Sequence, residues 1–241
     1  MVIPYIDNKV ETLAGIHGEL GGRFRLFISN RGVRAAFSKP AAECITHKDL
    51  ENGYDIYYNV PLELMELYQP ISRIFFYLLL LGLKTRPNYV CDPVLGVLDE
   101  VGNLGEIPGL AQTISTIGGK MVSLMLLWQD NSQGDLVFGE KVADVVRANC
   151  AYKVVHQVSD TKTREYIQDL IGKTFRIKRT KTRSYSAEND QQTGYSESET
   201  LEECWVYRAE EIGQLKRSLA ITKNGHYAVR GVPYYEDKRF D

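Results

Sequence analysis

The sequence predicts an α/β fold, an open and mostly parallel sheet flanked by helices, with β additions toward the C-terminus. Three observations predict it. Apolar, β-rich runs alternate with helix-like runs between residues 54 and 172, the pattern of strand–helix–strand units with right-handed connections. Two of the runs, 94–98 and 122–128, are rich in Val and Leu throughout, as parallel strands buried on both faces are. Each ends in polar side chains, Asp99-Glu100 and Gln129, and open α/β sheets take their ligands at the carboxyl ends of strands.

The elements follow in order. Residues 10–20 read as a weak helix broken at Gly21-Gly22, with a variable stretch to Pro40, since Gly and Pro punctuate structure. The aromatic and β-branched run 54–60 reads as a strand stopped by Pro61. Residues 62–67 and 71–84 read as a short and a longer helix broken around Pro70. The run 71–83 is the most apolar in the chain; with Arg73 inside it and too few residues to span about 30 Å of hydrocarbon, it reads as a buried core helix. After the acid strand come a Gly102–Gly105 turn, a helix over 108–117 stopped by Gly118-Gly119, and the strand 122–128. A helix over 141–148, a strand over 152–158 and a helix over 161–171 stopped at Gly172 continue the alternation. Beyond Gly172 the pattern changes. Residues 175–186 alternate as an exposed basic strand, 188–203 read as a flexible acidic loop, and 218–222 with 226–232 form a hairpin about Asn224-Gly225. A division follows: 1–172 as the later half of one α/β domain, and 173–241 as the basic strand, acidic loop and hairpin packed on it.

Composition narrows the function. The 241 residues are long enough to bury a core. A hydrophobic fraction of 44% with 25% charged residues is ordinary for a globular protein, and a net charge of −2 excludes a globally basic nucleic-acid binder. Cys44, Cys91, Cys150 and Cys204 are widely spaced with no C-x-x-C pair, which points to neither a zinc site nor a disulfide framework. Met1-Val2-Ile3-Pro4 leads into acidic and polar residues, not a secretory signal.

The chemistry lies at the strand ends. An apolar strand that closes in two adjacent carboxylates suits a nucleotide-hydrolysing site. Asp99 can hold Mg²⁺ through water, and Glu100 can polarise the water that attacks a γ-phosphate. The alternative is that the acids cap the following helix. A phosphate loop of the form G-x-x-x-x-G-K-S/T does not occur in these residues. Gly118-Gly119-Lys120-Met121 has Ile114 in place of the first Gly and Met121 in place of the hydroxyl, and Gly15 to Gly22 lacks the Lys.

With these pieces placed, the chain resembles the conjugative coupling proteins of type IV secretion, the TraG/TraD type. The resemblance rests on the run from Val97 to Pro108, on Trp128-Gln129-Asp130-Asn131-Ser132-Gln133, on Phe138-Gly139-Glu140 with Ala148-Asn149-Cys150, and on the run from Tyr234 to Phe240, and the segment from Tyr54 to Pro70 also looks like the family's strand and helix before the acid motif. It implies a RecA-like ATPase fold, ATP and Mg²⁺ as cofactors, a homo-hexamer, and DNA or DNA–protein substrates. Other secretion components would be partners. The place implied is the cytoplasmic face of the bacterial inner membrane, with the membrane reached through an N-terminal anchor outside these residues. Carried over by residue, Asp99 is the metal-side carboxylate, Glu100 the catalytic carboxylate and Gln129 the γ-phosphate sensor. No arginine lies between Pro108 and Gln129 to act as an inter-subunit finger. Lys120 and Arg147 are the candidates for that charge, each set against being an ordinary exposed cation. Without a phosphate loop, the chain alone is expected to be inactive as an ATPase. The competing functions are a nucleotide-incompetent partner- or substrate-binding module derived from the same fold and another DNA translocase, such as a chromosome-segregation pump. The basic strand 173–183 is either a DNA or acidic-substrate contact or an edge strand made soluble by charge.

Overall fold

The computed structural model describes residues 10–185 and 192–229. The chain divides into two compact units, Met1–Leu127 and Trp128–Asp241. The boundary at 172/173 expected from the sequence falls within the second.

The first unit opens with α1 (Val10–Ser29) and α2 (Arg31–Phe37). α1 runs through Gly21-Gly22, where a break was expected; a glycine costs a helix only about 1 kcal/mol, and Leu26 is buried beyond the pair. Asn30 caps α2, its Oδ1 accepting from the Val33 N–H at 3.0 Å. Thr46 and Asp49 form a capping box for α3 (His47–Glu51). The expected strand 54–60 is not a strand. Its aromatic content is used against a helix instead: the Tyr58 ring stacks on Phe75 at 4.7 Å and its hydroxyl shares a 2.9 Å hydrogen bond with Ser72.

Those partners lie on α4 (Met65–Lys84), which continues through Pro70 and follows a 3₁₀ turn at Leu62–Leu64. Two earlier expectations need correction here. Proline near the start of a helix forfeits one backbone hydrogen bond without breaking the packing beyond it. And α4 is not a buried core helix. One stripe, Ser72, Leu80 and Leu83, is buried, while a second apolar stripe, Ile74, Tyr77, Leu78 and Leu81, is exposed. The 23 residues Leu62–Lys84 are long and apolar enough to cross a membrane by length and composition, although the run 71–83 alone is too short.

β1 (Val94–Leu98) and β2 (Val122–Leu126) pair in parallel, from Val94 beside Val122 to Leu98 beside Leu126. The crossover contains α5 (Val101–Leu104) and α6 (Leu110–Ile117). A buried arginine absent from the sequence reading fixes the entry to both strands. Arg86, 2% exposed, donates to the Glu51 carboxylate at 3.2 Å and to the carbonyls of Asp92 at 2.6 Å and Lys120 at 2.9 Å. The strands are not buried on both faces: Leu98 and Val122 are buried, whereas Leu95, Val97 and Met125 are exposed.

The second unit begins with α7 (Asn131–Phe138) and α8 (Glu140–Asn149), followed by β3 (Tyr152–Val155) and α9 (Thr161–Ile171). β3 does not extend the parallel pair. It runs antiparallel to β6 (Ser218–Thr222), which pairs with β7 (Gly225–Val229) as the expected hairpin, as far as Val229. Val155, Val158, Ile167, Ile212, Leu219 and Ile221 make the core beneath this sheet. The short α10 (Ala209–Ile212) packs on α9.

The expected basic strand is present as β4 (Lys173–Tyr185), but the expected acidic loop is a strand, β5 (Gln192–Trp205). The two form an antiparallel ribbon. The acidic run lacks large aliphatics because its pairing is carried by charge: Lys173–Glu203, Lys178–Glu202, Arg179–Glu199 and Lys181–Glu197 are ion pairs. Residues 234–240, which contribute to the resemblance, lie outside the described residues.

Candidate functional site

Within the first unit, Asp99 and Glu100 sit where β1 ends. Asp99 is exposed and Glu100 is partly buried. Glu100 has φ 54° and ψ 54°, a left-handed conformation that costs a side-chain-bearing residue on the order of 1–3 kcal/mol. The surrounding backbone over-determines it. Val101, fully buried, donates its N–H to the Leu127 carbonyl at 2.9 Å, and Leu127 donates in turn to the Leu98 carbonyl at 3.0 Å. The Asn103 N–H then returns to the Glu100 carbonyl at 2.9 Å, closing the turn of α5.

α4 grips the far side of this turn. Gln69 Nε2 donates to the Asn103 carbonyl at 3.3 Å, and Arg73 Nη2 donates to Gln69 Oε1 at 2.8 Å. Gly105 makes the approach possible. Its φ is +72°, and a Cβ there would collide with the Arg73 guanidinium and the Gln69 amide. The acid pair therefore stands on a strained turn held by a strand on one side and a helix on the other.

Within the second unit, exposed Gln129 precedes α7. Its N–H donates to Gln133 Oε1 at 3.2 Å, and Asp130 caps the helix by accepting from the Gln133 N–H at 2.8 Å. α9 supplies the anchor. The Asn131 N–H donates to Thr163 Oγ1 at 2.9 Å, and that hydroxyl donates to Asp160 Oδ2 at 2.7 Å. Asp160 also accepts from the Thr163 N–H at 2.7 Å. The Thr163 hydroxyl, more than any other neighbour, holds the Asp160 carboxyl below its ordinary range. Sequence reading passed over Thr163; the Asp160–Thr163 spacing of a helix cap was its only signal.

The two candidate cations differ. Lys120 lies in the 3₁₀ turn before β2, partly buried, and its carbonyl is one of the Arg86 acceptors. Arg147 is not an exposed charge: it is 6% exposed and paired with Asp135 at 2.8 Å and Asp144 at 2.6 Å, over the Tyr166 ring at 5.8 Å. Its Nε and Nη1 make no hydrogen bond among the described residues. Burial lowers its pKa, but hydrogen bonds to Asp144 and Asp135 more than offset this. Asp135 also accepts from Lys162 at 2.8 Å; burial raises its pKa, and the bonds from Lys162 and Arg147 bring it below the ordinary value. A guanidinium held this way binds α7 to α8 rather than reaching outward.

Residues 93–217 match the family model described as the TraM recognition site of TraD and TraG. That is more than half of the chain. The chain belongs to this family. The TraG/TraD match begins at Pro93, immediately before β1, and ends at Arg217, immediately before β6. It therefore takes in the acid turn, the Gln129 segment and the β4–β5 ribbon. No curated protein matches the chain. Three solved structures of the bacterial conjugative coupling protein TrwB share its fold. The trigonal form with sulphate has a TM-score of 0.61 at 18% identity, covering 76% of this chain and 42% of TrwB. The complex with a non-hydrolysable ATP analogue has a TM-score of 0.60 at 18% identity, with the same coverage. The complex with ADP and Mg²⁺ has a TM-score of 0.56 at 19% identity, covering 78% of this chain and 40% of TrwB. The chain thus spans less than half the length of these proteins.

Among the described residues no group of three or more His, Cys, Asp or Glu could hold an ion. Mg²⁺ is commonly held by one or two carboxylates together with water and substrate phosphates; the exposed Asp99 and the adjacent Glu100 are the carboxylates that could serve here.

Proposed function

We propose that this chain supplies the acid and sensor residues of an ATP-driven motor that transfers DNA or DNA–protein substrates. The motor is a homo-hexamer at the cytoplasmic face of the bacterial inner membrane, working with other secretion components. The observation that carries the reading is Glu100: a carboxylate at the end of a parallel-paired strand, directly after Asp99, in a left-handed conformation fixed by neighbouring backbone. Strain of this kind clusters at active sites. Family membership and the nucleotide complexes of TrwB support it.

In this reading bound Mg–ATP supplies the γ-phosphoryl group and the metal charge. Asp99 holds the metal side through water. Glu100 orients the attacking water and takes its proton, and Gln129 reads the γ-phosphate. Lys120 offers a cation near the nucleotide. Catalysis of this type is positioning plus electrostatics. The test is kinetic. In a protein that joins this chain to a phosphate-binding loop, Glu100→Gln lowers turnover about 10²–10⁴-fold, the range of a general base, while nucleotide affinity is retained. Wild-type turnover in that variant contradicts the assignment.

A second reading is favoured by the family's description as a TraM recognition site and by the absence of a phosphate loop from these residues. Here the chain is a partner-binding module. Saturable calorimetric binding of a TraM protein to this chain, unchanged by ATP, supports it; no binding removes it.

A further inference from the structure

The β4–β5 ribbon stands as a two-stranded sheet of its own, 13 residues in one strand and 14 in the other. At about 3.4 Å per residue it is on the order of 40 Å long. Among the described residues neither outer edge has a ladder partner. A two-stranded ribbon is marginal alone, and open edges invite another strand.

Its two faces differ. One carries Lys173, Phe175, Ile177, Arg179 and Lys181 opposite Trp205, Glu203, Leu201, Glu199 and Glu197. Phe175, Ile177 and Leu201 on that face are 68%, 61% and 73% exposed. A ribbon kept soluble by charge alone has no need of these apolar side chains. Nor does the ribbon offer the field a polyanion wants, because a glutamate stands within an ion pair of Lys173, Lys178, Arg179 and Lys181.

The charges are sorted by strand. From Lys173 to Arg183, β4 carries six basic residues and no acid; β5 carries four glutamates and no base. A second ribbon in the same orientation brings its β5 edge beside the first β4 edge. Because β4 and β5 are antiparallel within a copy, that pairing is antiparallel too. It sets an acidic strand on a basic one and continues the apolar strip. A two-fold arrangement of β4 on β4 sets basic on basic.

We propose that the ribbon is a head-to-tail interface between copies of this chain, β4 of one beside β5 of the next. Such a heterologous contact closes into a ring when its rotation permits. The proposal deepens the oligomer within the reading above and is tested without nucleotide, so its failure leaves the assignment of Glu100 standing.

The test is light-scattering mass of the 241-residue chain at about 0.1 M salt, where charges act over roughly 10 Å. The wild type is expected to form species heavier than 27.4 kDa as concentration rises, and to dissociate near 1 M salt, where that reach falls to about 3 Å. Arg179→Glu with Lys181→Glu puts acids on both strands where 179 and 181 face 199 and 197; Glu197→Lys with Glu199→Lys puts bases on both strands there. Each double variant is expected to be monomeric alone, and their equimolar mixture to assemble. A ribbon that had merely unfolded gains nothing from mixing. A wild type monomeric at every concentration, double variants that assemble like the wild type, or a mixture that stays monomeric overturns the proposal. So does a monomeric wild type whose binding of a single-stranded oligonucleotide is lost in the first variant, which assigns the strand to nucleic acid.

Discussion

At the residue scale, the account turns on why Glu100 occupies a backbone conformation that glycine takes more readily. Glu100→Gly is expected to be about 1 kcal/mol more stable than Glu100→Ala in urea unfolding, since both lack the carboxylate and only glycine carries no left-handed penalty. Equal stability of the two variants shows that the turn is unstrained. Arg147 gives the opposite case, a charge that serves structure. Removing its partner with Asp135→Ala leaves a buried guanidinium half-paired and is expected to cost about 3–5 kcal/mol. The pH dependence follows from direction. The Asp135 and Asp160 carboxyls lie below their ordinary value of 3.8 in the folded chain. Their stabilisation is present above that pH and is lost as pH falls through the lower folded values. Acid unfolding monitored by circular dichroism is expected to show a smaller fall in stability below pH 3.8 for Asp135→Ala than for the wild type.

At the element scale, α9 holds the segment that carries Gln129. Thr163→Val removes the acceptor of the buried Asn131 N–H, at a cost of about 1–3 kcal/mol; Thr163→Ser keeps it. Faster amide exchange at Asn131 in the valine variant and its recovery in serine are the expected signs; equal exchange in all three chains contradicts the anchor. The elements legible in the sequence were those whose own period and stop signals decide them: β1 with its terminal acids, β2 (though it ends at Leu126, short of Trp128, so that Gln129 lies outside the strand), α6 before Gly118, α9 before Gly172, and the hairpin at Asn224-Gly225. Those misread were decided by partners far along the chain. Residues 54–60 have strand composition, but Tyr58 finds Phe75 and Ser72 instead of a ladder. Residues 192–205 have loop composition, but their glutamates find the bases of β4. The acids of the candidate site were legible because they end an apolar run. The Glu100 backbone, Arg86 and Thr163 were not, because nothing local requires them.

At the scale of the whole molecule, two features bound the function: TraG/TraD-family sequence across both units, and no phosphate loop within 241 residues. The isolated chain is therefore expected to release phosphate from ATP no faster than its Glu100→Ala variant; release well above that control contradicts the division of labour proposed here. The central claim is that Glu100 addresses the attacking water. The most direct measurement is a crystal structure of this chain joined to a phosphate-binding loop, with Mg²⁺ and a non-hydrolysable ATP analogue. The account predicts a Glu100 carboxylate oxygen about 2.6–3.2 Å from a water in line with the γ-phosphorus, the reach of a general base. A Glu100 carboxylate turned away from the triphosphate, with another residue holding that water, would contradict it.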